Sequence, residues 1–202
     1  MSLIKKQTFD LGVLNINYGT SLVPQNQIRD FTLLLNQILH IDADIAEVGV
    51  YRGGTAKIIC DNSKNNNIYL FDTFCGMPFF DEEKDGIWEK GTFNECDYNS
   101  IVELFKQYQN CFIYKGIFPQ ETSHNILNKK FKFVHLDVDN YQSHIECLNF
   151  FYEKVVKGGI IIFDDYNNDL CPGANKAVDE FFSNKSEKIL NINKSFYIVK
   201  DE

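Results

Sequence analysis

Between Gln25 and His40 apolar side chains return every three or four positions. Ile28, Phe31, Leu34, Leu35, Ile38 and Leu39 fall on one stripe, and Pro24 stands where proline favours a first turn, so the spacing predicts an amphipathic helix. The period then changes. Short apolar runs bounded by Gly, Asn or Asp occur at Ile45 to Val50, Ile68 to Phe71, Phe112 to Tyr114, Phe133 to Val138, Ile160 to Phe163 and Phe196 to Val199, and they read as strands buried on both faces. Helix-length segments at Thr55 to Ser63, Ser100 to Tyr108, Ser143 to Val156 and Ala174 to Phe182 lie between them. Strand and helix therefore alternate, which predicts an α/β, Rossmann-like fold with a mostly parallel central sheet and helices on both faces.

Thr73 to Asp97 breaks this pattern: it is long, rich in acids, aromatics and glycine, and without a period. In a compact domain such a loop often covers a ligand, so residues 73–97 are expected to form a substrate lid. No linker divides the chain. Its 202 residues are read as one domain able to bury roughly 70% of its unfolded surface, with residues 1–43 as an N-terminal arm and helix.

Lys and Arg number 20 against 28 Asp and Glu, a net charge of −8, so the average field repels phosphate backbones and anionic lipid heads. Neither a nucleic-acid nor a membrane partner is expected. The aliphatic runs are far shorter than a membrane span, and no apolar stretch follows the first lysines, which points to a soluble cytoplasmic protein. The six cysteines form no CxxC or CxxH pair and read as reduced structural thiols.

The first candidate chemistry lies at Ala46-Glu47-Val48-Gly49-Val50-Tyr51-Arg52-Gly53-Gly54-Thr55, where a strand ends in an acid and three glycines precede a helix. Glycines let the backbone turn sharply and let a ligand lie against it. The spacing is neither the G-x-G-x-x-G of nicotinamide enzymes nor a P-loop. Asp72 closes the second strand, where a carboxylate can accept from both hydroxyls of a ribose. An E-x-G-x-x-x-G turn followed by such an acid is the usual pattern of class I S-adenosylmethionine methyltransferases; a glycine-rich connection in another Rossmann-like protein is the alternative.

Asp137 and Asp139 follow one strand, and Asp164 and Asp165 follow the next. If these strands are neighbours, their ends stand about 4.8 Å apart and the carboxylates converge where open α/β sheets hold ligands. Two bare carboxylates ~4 Å apart repel by about 4 kcal/mol at an effective dielectric near 20, so the cluster calls for protons or a cation. An all-oxygen site suits Mg²⁺, Ca²⁺ or Mn²⁺. The plainer reading makes Asp165 a cap and Asp139 a solvated turn residue. His135 reads as a hydrogen-bonded core histidine, and His40, His124 and His144 show no recognisable spacing.

With both ends of the sheet in view, the chain resembles the macrocin O-methyltransferase family. The matching stretches are EVGVYRGGT from Glu47, FDTFCGMP from Phe71, KGIFPQET from Lys115, FVHLDVDNYQS from Phe133, GGIIIFDDY from Gly158 and CPGANKAVDEF from Cys171. The resemblance implies a class I methyltransferase fold, S-adenosyl-L-methionine as cofactor, a divalent metal, usually Mg²⁺, and methyl transfer to a hydroxyl of a sugar-containing small molecule. It matches Asp137, Asp164 and Asp165 to metal ligands and Asp139 to a proton acceptor. It lays the cofactor across Glu47, Gly49, Tyr51, Gly53 and Asp72, with Gly116 and Phe118 near the adenine.

Tyr51, Phe74, Phe79, Phe80 and Trp88 are candidate apolar walls for the site, with core packing the alternative for the phenylalanines. Two departures stand out: the chain starts later than typical members, and Phe79 to Gly91 is idiosyncratic, so acceptor identity does not carry over. Methylation of a catechol or other phenol, a non-catalytic cofactor-binding module and a nicotinamide oxidoreductase are the rival functions. A homo-oligomer is left open.

Overall fold

The structure, a computed structural model, describes residues 23–201. The expected N-terminal arm lies outside the described residues, apart from Val23 and Pro24 ahead of the first helix. Seven strands form one sheet: β1 (Asp44–Val48), β2 (Ile68–Asp72), β3 (Cys111–Lys115), β4 (Phe131–Leu136), β5 (Val155–Phe163), β6 (Leu190–Ile192) and β7 (Ser195–Val199), in the spatial order β3-β2-β1-β4-β5-β7-β6. The first five run parallel, while β7 lies antiparallel to both β5 and β6. The strand order reverses between β1 and β4, so a crevice opens at their carboxyl ends.

The five helices are α1 (Gln25–Gln37), α2 (Gly54–Asn62), α3 (Tyr98–Phe105), α4 (Tyr141–Phe151) and α5 (Pro172–Phe182). Alternate strand residues feed two cores. Ile45, Phe133, Ile160 and Ile162 pack with α1, α2 and α3, whereas Ala46, Val48, Val134, Leu136 and Phe163 pack with α4 and α5. Each layer thus buries one apolar stripe, which is the main stabilisation of a three-layer α/β fold.

Three expectations change. The helix predicted from Ser143 to Val156 stops at Phe151, because a 3₁₀ turn and the start of β5 at Val155 take over the end of the apolar run. β3 is not buried on both faces, since it is an edge strand whose residues alternate between half-buried and exposed. β6 carried no apolar signal because its three residues are exposed or half-buried. Among the described residues, no helix is long and apolar enough to cross a membrane.

Candidate active site

Gly49 follows β1 with φ of +92°, and a Cβ there would stand 1.6 Å from the Asp137 carbonyl oxygen. Only glycine allows the ends of β1 and β4 to come this close. Asp72, closing β2, accepts at Oδ2 from the N–H groups of Val50 and Tyr51, both at 2.8 Å, and at Oδ1 from Phe74 at 2.6 Å. Its carboxylate therefore staples the glycine turn, which includes Tyr51 at φ +47°. Three amides already bond it, so a ribose has less acceptor capacity there than the sequence suggested.

Glu47 faces the other way. It is fully buried beneath α1, with Oε1 2.8 Å from Nδ1 of His135 on the adjoining strand. His135 Nε2 lies 3.6 Å from Asp164 Oδ1. Burial disfavours a charged ring, but the Asp164 and Glu47 carboxylates outweigh it and raise the imidazole to about 9. His135 is thus a core histidine, as expected, and Glu47 is its partner and not a wall of the cleft. Gly53 is also not a wall residue: a Cβ there would meet Phe105 at 2.8 Å, so it serves the packing of α3 at the start of α2.

Both acidic strand ends are held by ladder bonds. The Asp137 N–H donates to Val48 O and the Asp164 N–H to Leu136 O, each at 3.0 Å. One carboxylate oxygen from each of Asp137, Asp164 and Asp165 lies within 4.8 Å of the others. Asp139, at φ +60°, donates its N–H to Asp165 Oδ2 at 2.8 Å. Burial, followed by repulsion from neighbouring carboxylates, raises Asp137 and Asp139 well above the ordinary range; Asp165 is raised too, chiefly by burial. His144 donates from Nδ1 to Asn140 O at 3.0 Å and stands with Nε2 3.9 Å from Asp165 Oδ2; burial lowers the pKa of its ring, while its attraction offsets part of the rise at Asp165.

A cleft of about 560 Å³ runs over these groups. Gly49, Tyr51, Asp72, Gly116, Phe118, Asp137, Asp139, Asp164 and Asp165 line it; Glu47 and Gly53 do not. From segment 73–97, the lining residues are Thr73, Gly76, Met77, Pro78 and Phe93, while Phe74, Phe79, Phe80 and Trp88 lie outside the wall. Phe74 packs instead on Tyr98. Sequence reasoning missed the opposite wall: Gln27 of α1, Asn167 and Asn168 after β5, and Asn193 and Lys194 in the β6–β7 turn. Clustered carboxamides in turn segments were the one available signal.

The fold is that of class I methyltransferases. CalS11, a TDP-rhamnose 3'-O-methyltransferase of calicheamicin biosynthesis, superposes with a TM-score of 0.76 over 93% of this chain and 84% of that one, at 18% identity. The chain belongs to the macrocin-O-methyltransferase (TylF) family, whose model matches residues 6–195. An uncharacterized protein of Acanthamoeba polyphaga mimivirus is 29% identical over 159 residues, 75% of this chain and 66% of that protein. Demethyldecarbamoylnovobiocin O-methyltransferase of Streptomyces niveus is 24% identical over 156 residues, 70% of this chain and 59% of that enzyme. The chain thus spans between 59% and 66% of the length of these two relatives.

Proposed function

We propose that this chain transfers the methyl group of S-adenosyl-L-methionine to a hydroxyl of a sugar or glycosylated metabolite, with a divalent cation, Mg²⁺ by preference, at Asp137, Asp164 and Asp165. The observation that carries the reading is the convergence of those three carboxylates beside the glycine turn at the β1/β4 switch point. The residues fit the ion: three hard oxygen donors lie within 4.8 Å of one another, and burial with repulsion from neighbouring carboxylates disfavours the ionised state of Asp137 and Asp165.

When bound there, a divalent ion supplies a template for two acceptor oxygens and lowers the pKa of the attacking one. The chain's own residues supply the rest. The turn from Gly49 to Tyr51, stapled by Asp72, is the floor assigned to the cofactor, and Gly116 and Phe118, which line the same cleft, are assigned to its adenine. Asp139 lines the same cleft, and its carboxylate is the group to take the acceptor's proton. Met77, Pro78 and Phe93 make segment 73–97 the lid that excludes water, while Gln27, Asn167, Asn168 and Asn193 give the cleft a polar wall suited to sugar hydroxyls, although Asn193 Nδ2 already donates to Asp30 and Asn168 Oδ1 accepts from the Leu170 N–H. Sugar methylation by relatives such as CalS11 supports this choice of acceptor.

The test is a labelled-methyl screen of nucleotide sugars and glycosides against a catechol panel, each with Mg²⁺ and after exhaustive chelation. Transfer to sugars that stops on chelation is expected. Transfer to catechols alone, or full activity without metal, overturns the corresponding half of the reading.

A further inference from the structure

Segment 73–97 is anchored on the helix starts that follow the two acidic strand ends. Asp85, fully buried, accepts at Oδ1 from the N–H of Tyr141, the first residue of α4, at 2.7 Å, and at Oδ2 from the N–H of Asp81 at 2.8 Å. Gly173, in the first turn of α5, leaves the slot open: a Cβ there would lie 2.1 Å from Asp85 Oδ1. The second anchor is Trp88, whose Nε1–H donates to Cys171 Sγ at 3.3 Å.

Cys171 occupies the N-cap position of α5 yet makes no capping hydrogen bond, so its sulfur is not committed to its own helix. It is buried, and it faces Asp165 Oδ1 at 3.5 Å and Asp139 Oδ1 at 3.9 Å. A thiol sulfur that accepts from an indole still has its own S–H to give, and both carboxylate oxygens are acceptors within reach. Lid, sulfur and acidic cluster form one continuous chain of contacts.

We propose that Cys171 is a positioning residue that holds the lid in register with the acidic cluster, its thiol accepting from Trp88 and donating to Asp165 or Asp139. This rests on reading the cluster as the cation site. Loss of the Trp88 contact leaves the sulfur with only the longer contact from Asn168 Nδ2, at 3.6 Å, and so loosens the orientation of Asp165, whose other oxygen stays bonded to the Asp139 N–H. The coupling is reciprocal: a change of cation binding at Asp165 changes the seating of Trp88.

The test is calorimetric titration of the full chain with Mn²⁺ in the presence of S-adenosylhomocysteine. Trp88→Phe, which keeps an aromatic ring but removes the N–H, and Cys171→Ala are each expected to weaken Mn²⁺ binding about fivefold, the effect of one such hydrogen bond. S-adenosylhomocysteine affinity stays unchanged, which also shows that the variants are folded. Cys171→Ser restores Mn²⁺ binding, and the double variant Trp88→Phe/Cys171→Ala is no weaker than either single one, because both cut the same chain. Wild-type affinity in Trp88→Phe, or losses that multiply in the double variant, overturns the proposal.

Absence of Mn²⁺ binding in the wild type overturns the cation-site reading instead. A second arm without metal then decides the coupling. Trp88 is the single tryptophan, so acrylamide quenching reports on the lid directly. The quenching constant is expected to rise in Cys171→Ala and equally in Asp165→Ala, and an unchanged constant in Asp165→Ala refutes the link.

Discussion

A fully buried acid and a cluster of four acids at the cleft lie side by side in this molecule and have opposite characters. Beneath α1, Glu47 meets His135 at 2.8 Å, with the Phe31 ring edge-on to the imidazole at 4.8 Å. That acid carries its countercharge within the chain and is closed to the cleft. One strand-end further on, Asp137, Asp139, Asp164 and Asp165 crowd the cleft, and the nearest imidazoles stand farther off, His135 Nε2 at 3.6 Å from Asp164 and His144 Nε2 at 3.9 Å from Asp165. Asp164 touches both groups, because His135 Nε2 stands 3.6 Å behind its Oδ1 and offsets part of the cluster's repulsion. Compensation, more than the number of acids, separates architecture from a site. An acid paired inside the fold holds strands together, whereas four acids crowded around an opening, only partly offset by two imidazoles, are arranged for something that arrives.

The largest effects test that division directly. Asp164→Ala or Asp165→Ala is expected to lower methyl transfer about 10³-fold, some 4 kcal/mol, while calorimetry finds S-adenosylhomocysteine bound as before. Normal turnover in either variant would make the cluster at the cleft as structural as the paired acid. On the other side, His135→Ala strands Glu47 in the core and is expected to cost about 3 kcal/mol in urea unfolding, as for other broken buried pairs. Glu47→Gln, whose amide oxygen can still accept from the ring, should cost less. Equal costs would show that the hydrogen bond without the charge does not hold the pair.

The division was only partly legible in the sequence. Alternating apolar runs located six of the seven strands, because strands covered by helices on both faces must be apolar throughout. The exposed β6 escaped for the same reason. Asp137, Asp164 and Asp165 could be placed together since residues that end neighbouring parallel strands sit side by side by register. Glu47 could not be placed this way. Its position at the end of β1 fits either a ligand contact or a core pair, and only the cross-strand register with His135, set by the relative stagger of β1 and β4, decides between them. The contacts of segment 73–97 with α4 and α5 through Asp85 and Cys171 were equally hidden, because each depends on residues more than 25 positions away along the chain.

Cation addition sharpens the contrast at intermediate size. Mg²⁺ at about a hundredfold excess over its dissociation constant is expected to raise the unfolding free energy of the protein by about 2.7 kcal/mol, a gain reversed by EDTA. Asp137→Asn abolishes the gain, and His135→Ala, though less stable throughout, retains most of it. A gain of the same size in Asp137→Asn would place the ion elsewhere.

The smallest effect concerns a third acid, far from the cleft and fully compensated. Glu187 is buried, accepts at Oε1 from Lys200 Nζ at 2.9 Å, and accepts at Oε2 from the Tyr152 hydroxyl at 2.7 Å. Burial alone raises its pKa, yet the two donors prevail and bring it down from 4.5 to about 2. A carboxyl depressed in the folded state contributes stability above its unfolded pKa and loses it as pH falls through the folded one. The contribution, on the order of 1 kcal/mol, is therefore whole above about pH 4.5 and disappears toward pH 2. Glu187→Gln lacks it at every pH, so urea unfolding should show a gap from the wild type that is flat near neutrality and closes across that window. Mg²⁺ and S-adenosylhomocysteine affinities should be identical in the two proteins. A gap that persists undiminished at the acid end would mean that packing around residue 187, and not its charge, accounts for the difference.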